Sequence, residues 1–400
     1  MSFGSTKLLS ASGGKDYEID QSLMFNAADT ALLYRTPSSE GNRRTFTLSA
    51  WVKMSATGFN NGSIFCCSTG TNDASTTYVA IYQGAIQWQG YNTNYRKSNR
   101  LLRDVGAWYH FVYAIDTTIA DGSADNRIRI YVNGEEITDW HTKNNPAQNY
   151  DFIINSTNRH ELGDEGATTG GLSPWDGYMA EVNFIDGSQL TPSSFGETDA
   201  VTGQWIPKKY GGAYGTNGFY LKFVSGAIGT DSSGQGNTWT TSNLANSDVM
   251  PDSPTNNFCT LNPLRNDITL TQGMLQAGGT YTSTTNKVYS TFGLISGKWW
   301  VQVHQSAANV YEANGVVNIS QSAENFAVNS STNNVSVMNW GTDVLTNGSQ
   351  TQTGLTAIGG SNVLGIALDL DNGTVQFYIN GSTIGSATSL TRNTGDVFVF

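Results

Sequence analysis

Charge is scarce in this chain. Only 13% of its 400 residues are Asp, Glu, Lys or Arg, and 32 acidic against 21 basic side chains leave a formal charge of −11. Phosphate-backbone binding needs clustered Lys and Arg to displace counterions, so this balance argues against a nucleic-acid partner. The loose group Arg96, Lys97, Arg100 and Arg103 reads as a solvated loop with partial salt pairing. Cysteine is scarcer still. Three residues, two of them adjacent as Cys66-Cys67, make neither a disulfide framework nor a paired zinc spacing, and read as small buried hydrophobes in a strand.

Long apolar runs are absent too. No stretch of 18 apolar residues exists, and Met1-Ser2-Phe3-Gly4-Ser5-Thr6-Lys7 lacks the charged start and apolar core of a secretory signal. The expectation is a soluble chain made in the cytoplasm, without membrane insertion. Eight Asn-x-Ser/Thr sequons, Asn155, Asn318 and Asn372 among them, are what so much Asn, Ser and Thr produces by chance. Gly-x-Ser-x-Gly, HExxH, the P-loop and the dinucleotide fingerprint are all missing. The four histidines, His110, His141, His160 and His304, have no companions at metal-ligand spacing.

What is present is alternation. Arg127-Ile128-Arg129-Ile130-Tyr131-Val132 and Thr374-Val375-Gln376-Phe377-Tyr378-Ile379 each place apolar residues on one face, and each stops at Asn-Gly. Asn133-Gly134 and Asn380-Gly381 suit a type I′ turn, in which both central residues take positive φ, so two hairpins are expected. Short strands follow one another at Gln21–Asn26, Ala31–Tyr34, Thr45–Val52, Ser63–Cys67, Tyr78–Gln83, Ala85–Gln89, Trp108–Asp116 and Gly177–Ile185, separated by turn residues. With 44 glycines this spacing predicts an all-β sandwich. Trp51 falls on the face opposite Phe46, Leu48, Ala50 and Val52. The stretch from Trp108 is apolar on both faces, so it reads as a central strand, with His110 a hydrogen-bonded packing residue. Leu190-Thr191-Pro192-Ser193-Ser194-Phe195 reads as one short capped helix.

The ordered series Trp51, Trp108-Tyr109-His110-Phe111, Ile130-Tyr131-Val132-Asn133-Gly134, Leu162-Gly163, Asp176-Gly177-Tyr178-Met179-Ala180-Glu181-Val182 and Leu190-Thr191 resembles a laminin G-like (concanavalin A-like) jelly roll over roughly residues 15 to 225. Where that family usually has an acid before Glu181, this chain has Ala180. Further on, Gly297-Lys298-Trp299-Trp300-Val301, then Val363 to Gly373, then Val375-Gln376-Phe377-Tyr378-Ile379-Asn380-Gly381 resemble the SPRY domain over about residues 265 to 400. The expected architecture is therefore all-β, two concanavalin A-like jelly-roll β-sandwiches in tandem joined by an ordered strap. Residues 1–226 form the first and 265–400 the second. Residues 227–264, rich in Gly, Ser, Thr and Asn, form the strap, pinned by Trp239, Val249, Met250, Phe258 and Leu261. Val397-Phe398-Val399-Phe400 reads as an apolar strand with an unpaired edge, which implies either truncation or a neighbouring chain that completes the sheet.

Catalysis finds little support. Sandwich glycosidases of this shape set three carboxylates on alternate positions of one strand, and Glu18-Ile19-Asp20 begins that pattern without a third. Glu181 stands alone on its strand, and Asp369-Leu370-Asp371 runs into Asn372-Gly373. Binding is the better class. Trp88, Tyr91 and Tyr95, with Trp140 and His141, put rings beside amides and hydroxyls, as carbohydrate recognition requires; the alternative is that these rings cover the sandwich ends or form subunit contacts. Asp164, Glu165 and Asp176, hard oxygen donors on turns, are the candidate calcium ligands, the alternative being solvated acidic turns. The pairing of the two domains in an acidic chain rich in Asn, Thr and Gly resembles virion proteins of tailed bacteriophages. That resemblance implies a non-catalytic tail fibre, appendage or decoration protein located in the virion. Its partners would be other virion subunits and a host-surface glycan or receptor, and it would assemble as a trimer or other symmetric homo-oligomer. A purely architectural subunit and a polysaccharide depolymerase are the other two classes.

Overall fold

The computed structural model describes residues 17–55, 62–164, 174–266, 268–278, 288–305, 313–319, 334–338 and 343–400. They divide between two compact units, the first ending at Asn257 and the second beginning at Phe258.

The first unit contains β1 (Ser22–Phe25), β2 (Leu32–Arg35), β3 (Thr45–Met54), β4 (Gly62–Ser68), β5 (Thr76–Tyr82), β6 (Ala85–Gly90), β7 (Asn94–Leu101), β8 (Tyr109–Asp116), β9 (Ile128–Val132), β10 (Glu135–Glu136), β11 (Trp140–Lys143), β12 (His160–Leu162), β13 (Gly177–Asp186), β14 (Gly196–Thr198), β15 (Trp205–Pro207), β16 (Phe219–Leu221), β17 (Thr240–Ser242) and β18 (Val249–Met250). A first sheet runs β10-β9-β8-β3-β13-β1-β18, with β16 added against β13, and a second runs β11-β7-β6-β5-β4-β12-β2-β17. All their pairings are antiparallel, and the two inner faces share an aromatic core. Phe184 stacks on Phe219 at 5.6 Å and tilts against Phe65 at 5.9 Å, while Phe46 meets Trp88 at 5.9 Å.

The outer face of the first sheet is covered as well. Trp51, Trp108, Met24, Tyr178 and Ala180 pack there with Trp205 and Met250, and Val112, Ala114, Tyr131 and Ile185 pack with Phe195, Tyr214 and Tyr220. This third layer is why the strand from Trp108 is apolar on both sides and why Trp51 faces away from the main core. Of the residues expected to form an ordered strap, 227–257 belong to this unit and 258–264 to the second. Strand β17 pairs with β2 and β18 with β1, Trp239 is 4% exposed, and the boundary falls after Asn257 rather than at 226. Buried Lys53 clamps the segment, donating to Asp252 Oδ2 at 2.7 Å and Asn257 Oδ1 at 2.8 Å, while Trp108 Nε1 donates to Asp252 Oδ1 at 2.8 Å.

Three further expectations are corrected in detail. Arg96 is not in a solvated loop: it lies on β7 opposite inward Trp88, is 1% exposed, and donates to the carbonyls of Tyr95, Asn144 and Asp125 and to Asn145 Oδ1. The short helix after Leu190 is a single 3-10 turn, Pro192–Ser194, without a side-chain cap. The third concerns the second unit.

That unit contains β19 (Leu261–Asn266), β20 (Thr269–Thr271), β21 (Gln276–Gly278), β22 (Val288–Ser290), β23 (Lys298–His304), β24 (Ala313–Asn318), β25 (Asn334–Met338), β26 (Val344–Thr346), β27 (Ser349–Gln352), β28 (Val363–Asp369), β29 (Thr374–Ile379), β30 (Ser382–Ser389) and β31 (Phe398–Val399). Its main sheets are β23-β28-β29-β30 and β27-β26-β25-β24-β31. Leu364, Ile366, Leu368, Val375 and Phe377 of one meet Val316, Val335, Val337 and Val344 of the other in a common core. The strand at Phe398 has no open edge. It pairs with β24 on one side, and on the other it bonds Leu294 through both Phe398 N–H and C=O, while Phe400 C=O accepts from Ser290 N–H at 2.8 Å.

Both Asn-Gly turns form as expected, with φ of 49° and 85° at Asn133 and Gly134 and 49° and 83° at Asn380 and Gly381. The asparagine has a second task in each. Asn133 Oδ1 accepts from His110 N–H at 2.8 Å and Asn380 Oδ1 from Val363 N–H at 2.9 Å, tying the turn to the neighbouring strand.

Candidate functional site

Paired strands bring opposite residues onto one face. In the second sheet of the first unit, Tyr34 pairs with Glu161, Glu161 with Cys66, Cys66 with Tyr78 and Tyr78 with Gln89. A second row runs Ser63, Ala80, Gln87, Lys97 and Thr142. Phe65, Val79 and Trp88 alternate with these and point into the core, so both rows face outward. That face lies outside the aromatic core and the third layer, and at its centre Cys66, Tyr78 and Ala80 form a small buried cluster of their own.

The floor of the face is polar. Ser63 is fully buried, Gln87 and Glu161 are each 3% exposed, and Ser63 Oγ, Gln87 Oε1 and Glu161 Oε2 have no hydrogen-bond partner. An unsatisfied buried polar atom costs about 1–3 kcal/mol, so each of the three is a group that a polar partner would stabilise. Tyr34, Tyr82, Gln89, Lys97 and Thr142 are half-buried around them. Arg159 lies 4.0 Å over the Tyr34 ring centre and bonds Glu161 Oε1 through Nε at 2.6 Å, which fixes the carboxylate and leaves its other oxygen unused. Burial pushes the Glu161 carboxyl up, Arg159 beside it pulls it back, and Asp164 adds to the rise. Lys97 Nζ stands 5.1 Å from the centre of the Tyr82 ring.

Tyr91, 41% exposed, sits at the turn after β6. Asp73 holds that turn: Oδ1 accepts from Asn92 N–H at 2.6 Å and Thr93 N–H at 3.0 Å, and Oδ2 from Thr93 Oγ1 at 2.6 Å. Burial works against the Asp73 charge, but the Thr93 hydroxyl and the two amides outweigh it and hold the carboxyl below its usual range.

The residues singled out from sequence fare unequally. Trp88 is a core residue, fully buried and edge-on to Phe152 at 5.3 Å, because the alternation of β6 turns Gln87 and Gln89 outward instead. Tyr95 is also inside, 6% exposed and edge-on to Phe152 at 5.4 Å. Tyr91 and His141 are exposed and Trp140 half-buried, the last with the Arg96 guanidinium 5.7 Å from its ring centre. Asp164 is buried and Asp176 half-buried, and Trp175 N–H donates to Gly163 C=O at 2.8 Å, which sets their chain segments side by side. Burial pushes the Asp176 carboxyl up. Glu165 lies outside the described residues. Among the described residues no three His, Cys, Asp or Glu side chains converge as a metal-binding group.

His110 is hydrogen-bonded and packed, with Trp51 stacked at 4.8 Å and Trp205 at 6.0 Å. Glu18 and Asp20 are exposed on a non-strand segment with Ile19 buried between them. Glu181 sits at a bulge with φ of 50°, and its carboxylate accepts from Tyr17 and Tyr220 hydroxyls at 2.6 Å each beneath the third layer. Taken singly, Ser63, Gln87, Glu161, Tyr34, Tyr82 and Arg159 carry no signal that singles them out in the sequence. Gln87 and Gln89 interleaved with Ile86 and Trp88 carried the available signal: a strand whose outward positions are amides.

Residues 28–194 match the family model of the concanavalin A-like lectin/glucanases superfamily, and residues 275–400 match that of the SPRY domain. A laminin G-like (concanavalin A-like) domain and a SPRY domain are thus present. Among solved structures, a heptameric SAP-like pentraxin from Limulus polyphemus is 17% identical, covering 48% of this chain and 92% of its own at a TM-score of 0.33. Domains LG4-5 of the mouse laminin alpha1 chain are 11% identical, covering 97% and 82% at a TM-score of 0.34. Domain 4 of a GH43 extracellular arabinanase from Geobacillus stearothermophilus, in complex with arabinotriose, is 16% identical, covering 48% and 84% at a TM-score of 0.32. No curated protein matches the chain.

Proposed function

We propose that the first unit is a non-catalytic glycan-binding domain whose binding face is the outward surface of its second sheet. The observation that carries this reading is the set of unpartnered polar atoms on the floor of that face, Ser63 Oγ, Gln87 Oε1 and Glu161 Oε2. A sugar hydroxyl both donates and accepts, which is the chemistry that these three atoms lack, while the Tyr34 and Tyr82 rings at the rim suit the apolar face of a pyranose. Glycoside hydrolysis needs a second carboxyl opposite the first, and Glu161 is the only carboxylate in the two outward rows.

The test is binding of the full chain to an array of host-surface polysaccharides, with Tyr82→Ala, Gln89→Ala and Gln87→Ala compared by calorimetry and circular dichroism. Each variant is expected to keep its fold and lose at least about tenfold in affinity, some 1.4 kcal/mol. Wild-type protein that binds nothing, or variants that bind equally well, would sink the assignment. Release of reducing ends that disappears in Glu161→Gln would replace it with a depolymerase.

The finer reading places this domain in an adhesion subunit of a tailed-phage virion, made in the host cytoplasm and assembled with other virion subunits as a trimer or other symmetric oligomer. The pairing of the two domains in an acidic chain rich in Asn, Thr and Gly supports it. Antibody labelling of intact particles tests it: a label on a fibre or appendage is expected, and its absence from purified particles would refute the reading.

A further inference from the structure

The four-stranded sheet of the second unit has an outward face of a different kind. Trp299, Val301 and Val303 on β23 pack against the core, so Trp300 and Gln302 point away from it. Register sets Trp300 opposite Ala367, and Gln302 opposite Gly365, which in turn pairs with Tyr378. The six-membered ring of the Trp300 indole covers Gly365, where any side chain would run into it. Tyr378 meets the indole edge-on, with ring centroids 5.0 Å apart and planes at 68°. The ring is thus supported from below by bare backbone and from the side by a second ring, yet stays half-exposed. The absence of a side chain at Gly365 is what lets it lie low on the sheet.

The surroundings narrow the ligand. Gln302 and Gln376 flank the indole, the latter with its Nε2 donating to the Phe377 and Ile384 carbonyls, Thr383 lies beyond Tyr378, and at one edge Lys298 pairs with Asp369 at 2.8 Å with Asp371 close by. A flat apolar ring bordered by amides and hydroxyls, with the charged groups gathered at one edge, is complementary to a neutral sugar: C–H groups of one pyranose face stack on the indole, and hydroxyls reach the Gln302 amide and the Gln376 carbonyl oxygen. An apolar protein partner would find only a single ring pair, and an anion no free cation among these residues. We infer that the outward face around Trp300, Gly365 and Tyr378 is a second carbohydrate site, selective for neutral hexose units and independent of the first.

The experiment uses the full chain with the first face disabled by Tyr82→Ala and Gln89→Ala, run by affinity electrophoresis in gels containing laminarin, dextran or yeast mannan. Retardation in at least one gel is expected to persist in this background. Adding Trp300→Ala should reduce it at least tenfold, and Trp300→Phe, which keeps a flat ring over Gly365, should restore most of it, with circular dichroism unchanged in each. No retardation of the disabled protein in any gel overturns the proposal. So does full retardation of Trp300→Ala, or equal loss in Trp300→Ala and Trp300→Phe. Loss already complete in the first-face variants would leave the first site standing and remove the second.

Discussion

His110 shows how much one buried residue settles. Trp205 Nε1 can only donate, and it lies 3.0 Å from His110 Nδ1, so that nitrogen carries no proton. The proton therefore sits on Nε2 and is donated to Ser49 Oγ at 2.9 Å. Burial lowers the ring from 6.5 to about 3, and His160, whose Nε2 accepts from Asn155 N–H, is lowered by burial to about 4. The unfolded chain protonates each histidine near 6.5 while the folded chain does not. Stability is therefore full above that pH and falls below it, by about 1.4 kcal/mol per pH unit for each ring, until the folded value is reached. Denaturation midpoints between pH 6.5 and 5 should drop steeply for the wild type and less steeply for His110→Gln. Equal slopes would show that His110 does not carry the linkage. The neutral packing role was legible from a lone histidine inside an apolar strand; the two tryptophans that enclose it are far away in sequence and were not.

At the scale of elements, periodicity reports which face of a strand is apolar but not what lies on that face. It found β1 to β6, β8, β9 and β13 of the first unit, β29 and β31 of the second, and both type I′ hairpins. It placed Trp88 on a binding loop because aromatic and amide residues alternate in β6, when the tryptophan belongs to the core and the amides to the outside. The strap was misdrawn for a related reason. Thr240–Ser242 and Val249–Met250 are too short and polar to announce strands, and they are strands only because β1 and β2 offer them edges. Their anchor is a buried ion pair, and removing one partner of such a pair strands the other charge at a cost of about 3–5 kcal/mol. Asp252→Ala should destabilise the first unit by that amount in denaturant titrations. A fragment ending at residue 257 should fold cooperatively, whereas one ending at 226 should unfold at markedly lower denaturant. Equal stability of the two fragments would contradict the assignment of residues 227–257 to the first unit.

For the whole molecule, two sandwiches of one general architecture present unlike outward faces. The first has buried hydrogen-bonding atoms without partners, ringed by Tyr34, Tyr82, Lys97 and Arg159; the second has an indole laid over a glycine. Both lie on strands rather than on the loops at the sandwich ends. Composition and motif order were enough to recognise both domains, because framework residues such as Asn133-Gly134 and Asn380-Gly381 recur at fixed places. The proposed binding face is assembled from seven strands scattered between residues 32 and 162, and only register brings it together. The most direct measurement is hydrogen–deuterium exchange of the full chain with and without the best-binding glycan from the array. Slowed exchange concentrated in residues 62–68, 76–101 and 159–162 is the predicted result; protection confined to other segments of the first unit, or no change there at all, would contradict the account.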